Sequence, residues 1–141
     1  MNTARIHFLA LTLVLLAASP AMAADDARTT AAIRAAENFL LLLDTGQYGQ
    51  SWDTTASLFK KQMPKETWVR EVGGLLSSVG MVNNRNIVSA EYKTSLPGAP
   101  DGEYVVIHYR SSYAKKQEAV ETVTPMLDDD GQWRVAGYYL K

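Results

Sequence analysis

Two spacings divide the chain. Between Ala31 and Val79 apolar residues recur every three or four positions, and from Arg85 onward they alternate with polar ones. The first spacing is that of a helix with one buried face, the second that of a strand with one buried face. Helices followed by strands, without interleaving, predict an α+β fold: three N-terminal helices packed on a four-stranded antiparallel meander. The first helix is expected to begin at Asp25-Asp26, whose carboxylates suit a helix N-terminus. It carries Ile33, Ala36, Phe39, Leu40 and Leu43, and stops at Asp44-Thr45-Gly46 with Gly46 as a left-handed cap. Leu40 to Leu43 are apolar on every side, which predicts an enclosed helix end. A second, shorter helix takes Tyr48, Trp52 and Phe59. A third starts at Met63-Pro64, buries Trp68, Val72, Leu75, Leu76 and Val79, and ends at Gly80. Gly73-Gly74 weakens that helix by about 1 kcal/mol per glycine, and close packing against a neighbour is the expected reason.

The strands are expected at about Arg85 to Thr94, Glu103 to Tyr113, Ala119 to Leu127 and Gln132 to Leu140. Asp129-Asp130-Gly131 fits a three-residue hairpin loop with glycine in the left-handed position. That loop sets Leu127 opposite Trp133, Pro125 opposite Val135, Val123 opposite Gly137 and Glu121 opposite Tyr139, all on one face. A five-residue loop from Ala114 to Glu118 then adds Val105, Ile107, Tyr109 and Tyr113. This face is the more apolar, so the helices are expected to cover it. The other face carries Tyr104, Val106, His108, Arg110, Thr122, Thr124, Met126, Arg134, Ala136 and Tyr138, and a slip of one residue would exchange the two sets. Pro125 has no N–H to offer an inner strand, which predicts a bulge beside it.

Upstream of the helices, Arg5 precedes a largely apolar run from Phe8 to Ala18, then Ser19-Pro20 and Ala21-Met22-Ala23. This is the layout of a cleaved secretory signal peptide over residues 1–23, leaving 24–141 as a single domain. The run falls short of the roughly 20 residues that span a bilayer, so no membrane span is expected after cleavage. The expected destination is the periplasm, with the extracellular space as the alternative. Cysteine is absent, which excludes disulfides, a thiol nucleophile and a lipidated N-terminal cysteine. Lys and Arg total 14 against 15 Asp and Glu, and the basic pairs Lys60-Lys61 and Lys115-Lys116 are too sparse for nucleic acid.

Asp44-Thr45-Gly46-Gln47-Tyr48 with Ser51-Trp52, then Trp68, form the first part of a further pattern. Leu96-Pro97-Gly98-Ala99-Pro100-Asp101-Gly102-Glu103-Tyr104, Glu121-Thr122-Val123-Thr124-Pro125-Met126 and the closing Gly131 to Tyr139 complete it. Together they resemble a bacterial exported family, the domain-of-unknown-function family 4019. The order of elements resembles the cone-shaped, nuclear-transport-factor-2-like fold. The resemblance implies that fold and carries no activity, ligand or catalytic residue with it.

Glu121 is the residue most suited to chemistry. The expected register puts it on the helix-covered face beside Ser111 and Tyr139, with Tyr113 close. A desolvated carboxylate there would have a raised pKa and could serve as a general base near neutral pH. Against this, Glu121 lies near the start of its strand, where reaching solvent or pairing with an arginine is the structural alternative. Enzymes of the cone-shaped fold often set a carboxylate among tyrosines, which is an analogy of fold. Tyr48, Trp52, Trp68, Tyr109, Tyr113 and Tyr139 could line a pocket for a small apolar ligand, or simply form core. Tyr104, Val106, His108, Met126 and Tyr138 make the other sheet face unusually apolar, and suit a homodimer interface or docking to an envelope protein. His108 has no histidine or cysteine partner, so neither a metal nor another cofactor is expected, and no serine stands in a G-x-S-x-G elbow. The leading expectation is a non-catalytic binding domain. The alternative is a cofactor-free isomerase or dehydratase using Glu121 with Tyr139 or Tyr113.

Overall fold

The computed structural model describes residues 20–141. It is α+β, with all its helices ahead of its strands: α1 (Pro20–Asp44), α2 (Tyr48–Asp53), α3 (Ser57–Gln62), α4 (Lys65–Val79), β1 (Val82–Lys93), β2 (Tyr104–Tyr113), β3 (Lys116–Leu127) and β4 (Trp133–Leu140). The strands form one open antiparallel sheet in the order β1-β2-β3-β4. Most of the signal-peptide segment, residues 1–19, lies outside the described residues, and the expected cleavage site falls in the first turns of α1. No helix among the described residues is long and apolar enough to cross a membrane.

The helices number four rather than three, because the expected second helix breaks at Thr54-Thr55-Ala56. The Thr54 and Thr55 hydroxyls donate to the carbonyls of Ser51 and Trp52 at 2.8 and 2.7 Å, so these threonines close the last turn of α2 instead of extending it. The backbone is drawn to the sheet at the same point: the Ala56 N–H donates to the Val135 carbonyl at 2.8 Å. α3 then starts without a capping side chain of its own. Asp128, the residue just after β3, takes that role by accepting the Ser57 N–H and hydroxyl, each at 3.0 Å. Gly46, at φ 72°, stops α1 as expected, and the N–H groups of Gly46 and Gln47 turn back to Leu43 and Leu42. Gly73 packs where a Cβ would sit 3.3 Å from the Tyr48 ring, whereas Gly74 faces open space. The end of α1 is only partly enclosed, since Leu41 is 59 % exposed.

The core joins Ala32, Ala36, Phe39, Leu40 and Leu43 of α1, Phe59 of α3, and Trp68, Val72, Leu76 and Val79 of α4 to Val105, Ile107, Tyr109, Tyr113, Ala119, Val123 and Val135 of the sheet. The sheet members all belong to one face, and their alternates on β2 and β3 are mostly half-buried or exposed. The β3–β4 hairpin has the expected loop, with Gly131 at φ 79° and Leu127 opposite Trp133. Beyond Pro125–Val135 the register changes by one residue, because Ala136 is left without a partner and Thr124 faces Gly137. This is the bulge anticipated from Pro125. It inverts the rest of β4. Val123 faces Tyr138 rather than Gly137, and Glu121 faces Leu140 rather than Tyr139. Tyr138 therefore turns into the core and Tyr139 out of it, the reverse of the sequence-based expectation. The β2–β3 connection is also tighter than expected, a turn at Ala114-Lys115. That places Tyr109, rather than Ser111, opposite Glu121; a change of two residues leaves the faces as expected.

Candidate functional site

Glu121 comes to the inner face through the alternation of β3 and is fully buried. Arg85 reaches it from β1, its Nε donating to Oε1 at 2.8 Å and its Nη2 to Oε2 at 3.3 Å. Ser111 on β2 donates a short hydrogen bond to Oε1, and Tyr138 on β4 donates to Oε2 at 2.9 Å. Four donors occupy the two carboxylate oxygens, close to their full capacity. The rest of the Arg85 guanidinium is held by Asp44 at the end of α1, with Nη1–Oδ2 at 2.7 Å and Nη2–Oδ1 at 3.0 Å; Nη2 also lies 3.3 Å from the Tyr113 hydroxyl. An acid in the last turn of a helix opposes the helix dipole, and the bidentate arginine offsets this. The network thus ties α1 to three strands of the sheet and, through Arg85, to the fourth.

The charge balance follows from that geometry. Burial alone would raise the Glu121 pKa, but the hydrogen bonds and charge of Arg85, with Ser111 and Tyr138, bring it below the usual carboxylate range. Burial would lower the Arg85 pKa; Asp44 and Glu121 more than reverse this. Burial pushes the Tyr113 hydroxyl up to about 12, and burial with the Glu121 charge pushes Tyr138 up as well. An ionised carboxylate whose lone pairs are filled by fixed donors is a poor general base. Arg85 and Asp44 were not singled out from sequence. The signal available was phase, since Arg85 lies on the same side of β1 as Ile87, which faces Tyr109.

The expected aromatic set does not gather round one cavity. Trp68 stands at the centre of a packed cluster, with ring centroids 5.2 Å from Phe59, 5.9 Å from Phe39 and 6.2 Å from Tyr138. Its Nε1–H donates to the buried Ser51 hydroxyl at 3.0 Å. Trp52 is half-buried under Lys60 and Lys65. Tyr48 and Tyr113 share a cleft of about 220 Å³ with Leu43 and Leu76. Tyr109 lines a different one of about 520 Å³ with α1 and β1, and Tyr139 is 61 % exposed on the opposite sheet face.

The outer face keeps only part of its expected composition. Val106, His108 and Met126 are there and half-buried, and His108 Nδ1 lies 3.0 Å from the Thr122 hydroxyl. Tyr104 is not available there. It is 1 % exposed, because the Leu96–Gly102 loop folds over its ring and the Pro100 carbonyl accepts its hydroxyl at 2.6 Å. Tyr139 takes the place expected for Tyr138, in line with Thr122 and His108 across three strands. Val120, 50 % exposed, lies beside Arg110 in the same face. Among the described residues no group of three or more His, Cys, Asp or Glu side chains is placed to hold a metal.

No curated protein and no solved structure matches the chain. A family model of proteins of unknown function, DUF4019, matches residues 35–138, a span that takes in α1 from its middle, the Arg85–Glu121 network and all but the end of the last strand. The chain belongs to the DUF4019 family of proteins of unknown function.

Proposed function

We propose that the protein is an exported, non-catalytic domain that works by binding, and that its binding surface is the outer face of the sheet. The observation that carries this reading is the one-sided packing of the fold. All four helices precede the sheet and the buried cluster draws on one sheet face, while Tyr139 and Val120 stand 61 % and 50 % exposed on the other. Exposed apolar side chains grouped on one surface are characteristic of interaction sites. The occupant we assign is a second copy of the chain. Strands about 4.8 Å apart and about ten residues long, at about 3.4 Å per residue, give four strands a face of roughly 650 Å². Two such faces bury about 1,300 Å², within the ~1,200–2,000 Å² of stable interfaces. A two-fold pairing would cover both faces at once and close the assembly.

Export belongs to the same reading. It rests on the Phe8–Ala18 run and Ala21-Met22-Ala23, with the periplasm as destination and the extracellular space as the alternative; a mature chain beginning at Ala24 is the expected mass-spectrometric result. The cone-shaped, nuclear-transport-factor-2-like description rests on the order of helices and meander. The isomerase or dehydratase alternative draws no support from Glu121, whose oxygens are already engaged. Sedimentation of residues 24–141 across a concentration series tests the binding surface. The expected result is a dimer that Val120→Lys converts to monomer while circular dichroism shows the fold retained. A wild-type monomer at every concentration would overturn the assignment.

A further inference from the structure

The cleft between α1 and the β1 edge of the sheet combines features that the network beside it does not explain. It has a volume of about 520 Å³ and is lined by Glu37, Leu40, Leu41 and Asp44 of α1, by Asn86 and Ile87 of β1 next to Arg85, and by Tyr109 of β2. Tyr109 is 3 % exposed, and among the described residues its hydroxyl is the buried side-chain polar atom that has no hydrogen-bond partner. A buried hydroxyl without a partner is unfavourable and needs a reason, such as a ligand that completes it. Burial and the charge of Glu37 push that hydroxyl up to about 12, so it stays protonated over the physiological range.

The charges around it do not cancel. Arg85 is taken up by Asp44 and Glu121, whereas Glu37 is exposed and has no ion pair among the described residues. Asp44, Glu121 and Glu37 thus set three negative charges against one guanidinium, and the surroundings of the cleft are net negative. Its rim is apolar, since Leu41 and Ile87 stand 59 % and 43 % exposed on its two sides.

We propose that this cleft binds small amphipathic amines, with the ammonium between Glu37 and the Tyr109 hydroxyl oxygen and the hydrocarbon chain across Leu41 and Ile87. An ammonium supplies three donors and no acceptor, which fits a site made of a carboxylate and a hydroxyl oxygen, with the third donor left to water at the open mouth of the cleft. The inference is independent of the outer sheet face.

The test is an amide-shift titration of ¹⁵N-labelled residues 24–141 with hexylamine, hexanol and hexanoate. Hexylamine is expected to give saturable shifts centred on residues 37–44, 85–87 and 109, at least about tenfold tighter than hexanol, with hexanoate inert, because hydrogen bonds to charged groups exceed neutral ones by roughly that factor. Glu37→Gln, an exposed change that leaves the core alone, should weaken hexylamine about tenfold or more. Tyr109→Phe should weaken it about two- to tenfold while the ligand-free variant melts at or above the wild-type temperature. Shifts that never saturate, equal binding of hexanoate, an unchanged affinity in Glu37→Gln, or shifts centred on another surface would each overturn the proposal.

Discussion

Removing Arg85 tests whether Glu121 is structural. In Arg85→Met the apolar stem of the side chain is kept and the guanidinium is lost. Glu121, fully buried, would retain Ser111 and Tyr138 as donors but no compensating charge. Breaking a buried pair by removing one partner typically costs about 3–5 kcal/mol. Arg85 is only 14 % exposed, so water screens the pair little and a value inside that range is expected. At roughly 4 °C per kcal/mol for a domain of this size, the melting temperature should fall by about 12–20 °C at pH 7. Arg85→Met/Glu121→Gln removes both charges, lets the amide oxygen accept from one of Ser111 and Tyr138 while its N–H₂ donates to the other, and should regain at least half of the loss. The pH dependence has opposite signs in the two proteins. In the wild type the folded Glu121 pKa is depressed, so its contribution is present above the unfolded value of about 4.3 and is lost as pH falls through the folded value. In Arg85→Met desolvation dominates and the folded pKa rises, so that variant gains stability, relative to wild type, as pH falls from 7 toward 4. Urea melts of the three proteins at pH 7 and pH 4 measure all of this. A single variant within about 1 kcal/mol of wild type at pH 7 would refute the reasoning.

The bulge at Ala136 predicts that Tyr138→Phe, which takes a donor from Glu121, costs about 1.5–3 kcal/mol by denaturant melt, while Tyr139→Phe on the surface changes stability by less than about 0.5 kcal/mol. Asp128→Ala removes the cap of α3 and the partner of Arg134, and should cost about 1–2 kcal/mol at pH 7. Burial would raise the Asp128 pKa but Ser57 holds it below its ordinary value, so this difference should persist above about pH 4 and shrink as pH falls through the depressed folded value. Gly74→Ala, in open space on α4, should stabilise by up to about 1 kcal/mol in a thermal melt, while Gly73→Ala should show no such gain because its Cβ meets the Tyr48 ring.

Local rules made several elements legible in the sequence. Gly46 and Gly131 ended α1 and turned the last hairpin where their dihedral freedom suggested, and Pro125 marked the sheet irregularity. What failed was propagation. The bulge was foreseen beside Pro125, yet its consequence for Tyr138 and Tyr139 depended on which strand carried the extra residue, and Ala136 gives no local sign of that. The break between α2 and α3 is a tertiary effect, set by Val135 drawing Ala56 to the sheet about eighty positions earlier in the chain. Glu121 stood out by type and phase, but its partner Arg85 lies 36 residues away and Asp44 further still, separations at which spacing carries no information. Tyr104 alternated correctly onto the outer face and was removed from it by its own neighbouring loop.

The binding role assigned to the outer face is tested most directly by isotope-filtered NMR on an equal mixture of labelled and unlabelled residues 24–141. A second copy seated on the sheet predicts intermolecular contacts from the unlabelled chain to the methyl groups of Val106, Val120 and Met126 and to the Tyr139 ring. Intermolecular contacts confined to the helical side, or none in a sample concentrated to about 1 mM, where even weak pairing of ~1 mM dissociation constant populates the dimer, would contradict it.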